Sequence, residues 1–80
     1  MKIYENYSLK TLNTLGVAIN ARYFCKLSKL GGLKAVMQWQ REHADLPVLF
    51  LGGGSNMLFL EDYPGLVVQV LLQLVVLQTQ

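Results

Sequence analysis

Three consecutive glycines, Gly52-Gly53-Gly54, constrain this chain of 80 residues more than any other feature. A short apolar run, residues 48–51, delivers the backbone into them, Ser55 and Asn56 follow, and a second apolar run opens at Met57. A glycine triplet weakens any regular element, so the chain must turn there or let something approach the backbone closely. Successive N–H groups in such a turn form a concavity suited to phosphate oxygens. Ser55 and Asn56 add a hydroxyl and an amide to that ring of donors. The plainer alternative is a tight strand connection with no ligand.

The common phosphate motifs do not fit. A P-loop requires Lys followed by Ser or Thr after its glycines, and here Gly54 is followed by Ser55, Asn56 and Met57. The dinucleotide fingerprint requires a further glycine opening a helix. That position is Met57, and Pro64-Gly65 punctuates too soon for a helix of ordinary length. The loop is therefore expected between extended segments, which points to a nucleotide or flavin site outside the Rossmann class.

The stretch Gly52-Gly53-Gly54-Ser55-Asn56-Met57-Leu58 resembles the glycine-rich flavin motif of the UDP-N-acetylenolpyruvoylglucosamine reductases, also called UDP-N-acetylmuramate dehydrogenases. Leu9-Lys10-Thr11-Leu12-Asn13-Thr14-Leu15-Gly16 resembles that family's N-terminal Asn-Thr-apolar-Gly signature. Glu61-Asp62-Tyr63-Pro64-Gly65-Leu66-Val67-Val68 resembles the Asp-x-x-Gly-apolar strand after its loop. Order and spacing agree, and the resemblance covers roughly residues 8–69.

The resemblance implies an α+β fold: a small βαββ-type unit like the N-terminal FAD-binding subdomain of the vanillyl-alcohol-oxidase-like flavoproteins. It implies FAD as cofactor, with NADPH as co-substrate. The family passes hydride through the flavin to UDP-N-acetylglucosamine enolpyruvate, giving UDP-N-acetylmuramate for bacterial peptidoglycan. Gly52, Gly53, Gly54, Ser55, Asn56 and Met57 are the implied cofactor residues, with Asn13 and Thr14 at the nucleotide end; a turn or capping role is the alternative for that pair. The family's catalytic serine, glutamate and arginine match no residue here, so no catalytic residue is assigned. The expected organisation is one partial FAD-binding subdomain over residues 1–80. A cytoplasmic bacterial location is implied, and activity of the chain alone is not expected.

Composition narrows the rest. Eighty residues make at most one small domain, marginal without staples. One cysteine, Cys25, excludes an intramolecular disulfide and agrees with a reducing compartment. No apolar signal-peptide core follows Met1. The net charge is only +2, and the basic residues read as scattered rather than clustered, which argues against nucleic-acid binding. With one His and one Cys, no zinc site is expected.

Periodicity predicts a strand over residues 21–27, with Ala21, Tyr23, Cys25 and Leu27 on one face. Leu33, Val36, Met37, Gln40 and Ala44 fall at helical spacing before Pro47. Residues 48–51 form the next strand and 66–71 another. The strands joined through the helix are expected parallel, with a right-handed crossover. Tyr7 and Asn13-Thr14 read as loop or short strand. Cys25 and Trp39 read as packing residues, His43 as solvated at a helix end, and Glu61-Asp62 as shaping a turn.

The tail is the second oddity. After Asp62 no charged residue occurs, and residues 66–77 are nearly unbroken Leu and Val. The run is about half of what a membrane span needs, so no membrane partner is expected. It matches an aggregation-prone strand. A truncated or shifted reading frame and a genuine strand that needs a partner both produce this pattern. The alternatives to the reductase reading are therefore a non-catalytic fragment that self-associates through residues 66–77, and a stand-alone nucleotide- or phosphate-binding module.

Overall fold

The computed structural model describes residues 2–12, 18–52 and 59–71. Four strands form one mixed sheet: β1 (Tyr4–Ser8), β2 (Asn20–Leu27), β3 (Val48–Gly52) and β4 (Tyr63–Val70). The helix α1 (Gly32–Glu42) connects β2 to β3, and a short 3-10 turn at Lys10–Leu12 follows β1. The spatial order is β1-β2-β4-β3. β1 runs antiparallel to β2, and β4 lies parallel to both β2 and β3. The expected β-α-β-β succession is present, with a fourth strand, β1, where loop or short strand was expected.

The last of the described strands, β4, thus lies inside the sheet, between β2 and β3. Residues 66–70, read as a segment seeking a second copy, have both hydrogen-bonding edges occupied by β2 and β3. Residues 72–77 of that segment lie outside the described residues. β4 also begins earlier than expected, at Tyr63, and takes in Pro64-Gly65. Its register against β2 steps from Ala21↔Tyr63 to Tyr23↔Leu66, so β4 carries one extra residue there. Such a bulge tolerates a proline, which has no N–H to give the ladder.

Each face of the sheet has its own apolar cluster. On one, Val36 of α1 is buried against Cys25, Leu27, Leu66 and Val68, with Tyr23, Trp39 and Val48 packed around them. On the other, Phe24, Leu51 and Val67 meet Leu9, Ile19, Ala21 and Phe59. Full burial of a side chain such as Phe24 or Val36 contributes about 1.5–3 kcal/mol. Ala21 therefore does not share a face with Tyr23, Cys25 and Leu27 as strict alternation predicts. Alternation slips in β1 and β2 together: Tyr4 and Tyr7 pack on one cluster, as do Ala21 and Phe24. Asn6, at φ 48°, lies between those tyrosines and marks the kink.

The helix sits where its period places it, but turned. Val36, Trp39 and His43 face the sheet, whereas Leu33 and Met37 are exposed, and Gln40 and Ala44 lie outside the buried side. Trp39 sets that orientation: its ring meets Tyr23 edge-on at 5.3 Å. His43 then stacks on Trp39 at 4.0 Å and 15°. The helix closes at His43, whose Nδ1 donates to the Trp39 carbonyl at 2.9 Å, so His43 is half-buried rather than solvated.

Candidate functional site

β3 runs the chain out to Gly52, which pairs with Val70 and is exposed at the carboxyl end of the parallel strands. Of the residues expected at the cofactor, Gly52 alone is among the described ones. Gly53, Gly54, Ser55, Asn56 and Met57, and the pair Asn13 and Thr14, lie outside them.

The flanks of both segments are described, and they converge. Before Asn13, Leu9 is fully buried and Leu12 packs on the helix-free cluster. After Thr14, Ile19 belongs to the same cluster, and the Leu9 N–H donates to the Ile19 carbonyl at 2.7 Å. Leu51, just before the glycines, and Phe59, just after Met57 and Leu58, are members too. Phe59 packs edge-on to Tyr63 at 6.5 Å. The two segments singled out in the sequence therefore leave from, and return to, one apolar cluster on one face of the sheet.

β3 and β4 are parallel, so the connection from Gly52 to Tyr63 starts at one end of the sheet and finishes at the other. At the far end Asp62 accepts the Asn20 N–H through Oδ1 at 2.9 Å, tying the entry of β4 to that of β2. Where a turn was expected at Glu61-Asp62, the chain bends at Leu60 and Glu61, and Asp62 ties two strand entries together.

Two groups near these elements are perturbed. Burial raises the Cys25 thiol above its ordinary value, consistent with a packing residue at the centre of β2. Burial likewise raises the Tyr63 hydroxyl. Among the described residues no helix is long and apolar enough to cross a membrane.

No protein-family model matches the chain. Individual relatives do. It is 47% identical over 72 residues to the UDP-N-acetylenolpyruvoylglucosamine reductase of Chromobacterium violaceum, covering 90% of this chain and 21% of that protein. The enzyme of the same name from Amoebophilus asiaticus is 39% identical over 70 residues, covering 88% of this chain and 20% of the relative. That of Shigella dysenteriae is 48% identical over 65 residues, covering 79% and 18%. The architecture that carries these matches is a small α+β unit. Over the matched residues it belongs with the UDP-N-acetylenolpyruvoylglucosamine reductases. The chain spans about a fifth of the length of the relatives it matches.

Proposed function

We propose that the chain is the FAD-binding portion of a UDP-N-acetylenolpyruvoylglucosamine reductase. Backbone N–H groups of Gly53, Gly54, Ser55 and Asn56 face the cofactor's pyrophosphate, and Asn13 and Thr14 lie toward its nucleotide end. The observation behind this reading is the convergence of Leu9, Ile19, Leu51 and Phe59 on one cluster, which brings the flanks of both segments to the same face. The apolar cluster fixes the roots of the loops, and the glycines leave room for close approach of a phosphate to the backbone.

When bound, FAD supplies the hydride chemistry named by the family, with NADPH as reductant. The chain's own part is to bind and orient. No group in it matches the family's proton donor, so the UDP-sugar substrate and turnover belong to the whole enzyme. A bacterial cytoplasmic location follows from the same reading.

In a full-length relative, Gly54→Val places a branched side chain in the loop and should abolish flavin retention, read as loss of the yellow chromophore on purification. A Gly54→Val protein holding FAD at full stoichiometry overturns the assignment. The chain alone, given NADPH, FAD and the enolpyruvyl substrate, should show no turnover above free flavin, because half a site lacks the orientation and electrostatics the reaction needs.

A further inference from the structure

Lys2, Lys26 and Lys29 are distant in sequence and adjacent in space. β1 pairs antiparallel with β2, with Tyr4 opposite Phe24, so the start of β1 lies beside the end of β2. The three lysines line a groove of about 490 Å³ together with Ser28, Tyr4 and Leu27. They are three of the chain's seven basic residues, and none of its acidic residues borders the groove. Among the described residues Lys26 and Lys29 take part in no ion pair, and Lys2 touches only the Tyr4 ring, 5.0 Å from its centroid. Like charges gathered around a concavity with an apolar floor focus a positive potential that an anion relieves. Lysine ammonium groups act as point-charge binders of phosphate.

The position agrees. The groove opens at the carboxyl end of β2, the side of a parallel sheet where ligands commonly bind. Leu27 and Gly52 both pair with Val70, so the groove and the start of the glycine loop share the carboxyl end of the parallel strands. They are separate places on it, since Gly52 is not part of the lining.

We propose that this groove is a second binding site, for a small phosphorylated molecule. Lys2, Lys26, Lys29 and the Ser28 hydroxyl hold the phosphate, and Tyr4 and Leu27 take the apolar part. Titration calorimetry of the 80-residue chain with phenyl phosphate and with inorganic phosphate tests it. Phenyl phosphate should bind, more tightly than inorganic phosphate, and should weaken as KCl rises from about 0.05 to about 0.5 M. The Lys26→Gln/Lys29→Gln pair should weaken it by about tenfold or more, and Lys29→Gln alone by several-fold, each a lost charge-assisted contact. Lys10→Gln and Gly54→Val should leave it unchanged, with circular dichroism confirming that every variant folds. Absence of binding overturns the proposal. So does binding that survives the lysine variants, or binding that Gly54→Val removes, which would place the phosphate at the glycine loop.

Discussion

A methyl group at residue 65 would fall against the carbonyl oxygen of Pro47, which already accepts the Leu66 N–H at 3.0 Å. Neither partner is a flexible side-chain tip, so backbone must move. Gly65→Ala should cost about 3 kcal/mol, the upper range for overpacking, read from urea unfolding. Gly31 is the opposite case: a Cβ there meets nothing within 4 Å, and its φ of −62° suits any residue. Gly31→Ala should gain about 0.5–1 kcal/mol in the same assay by restricting the unfolded chain. Sequence alone did not separate these two glycines. Pro64-Gly65 reads as a turn because both residues break regular structure, and only the register step of β4 against β2 shows that a strand accommodates them. Cys25 and Trp39 were legible as packing residues from their place in periodic segments. His43 was not, because its burial depends on a ring four residues earlier turning toward Tyr23.

At the scale of elements, the strand that opens the uncharged tail went inside the sheet, between β2 and β3. Leu66, Val67 and Val68 are fully buried, and each edge of β4 is paired. Val68→Lys would bury an unpaired ammonium and should cost about 4 kcal/mol or more, leaving little folded protein by circular dichroism. β3 is different. It lies at the edge of the order β1-β2-β4-β3, carries no charge, and shows Phe50 at 47% exposure. An edge of that kind is a template for pairing. Phe50→Lys should change stability by no more than about 0.5 kcal/mol while reducing association in sedimentation velocity. The strands and the helix were legible because their periods are short and local. Which strand lies inside was not, since burial on both faces and exposure for pairing select the same residues. The helix face was not legible for a related reason: Leu33 and Met37 have the right spacing, but the larger Trp39 takes the sheet side.

Over the whole molecule, the buried Cys25 thiol ties stability to pH. Burial lifts its folded value above the ordinary 9.0, so the folded state keeps a proton that the unfolded chain releases. The associated stability is fully present below the unfolded value and is lost as pH rises toward the folded one. Urea midpoints should therefore fall as pH rises above about 9, and Cys25→Ala should remove part of that slope, with Tyr63 acting further up the scale in the same sense. The glycine loop was legible as a motif because its residues are contiguous. The lysine groove was invisible, because antiparallel pairing, not sequence distance, sets Lys2 beside Lys26. The central place of β4 also has a consequence for how the chain comes into being. β2 and β3 never touch as partners; the neighbour they share is β4, the last of the described strands. A nascent chain that has not yet reached Tyr63 holds a β1-β2 hairpin, a helix and an orphan β3, with no shared neighbour to join them. Closure of the sheet must wait for residues 63–70 to arrive and insert, so folding is late, dominated by non-local pairings and correspondingly slow. Until then the unpaired edges of β2 and β3 stand open to other chains, and crowded synthesis is when this fold is most exposed to mispairing.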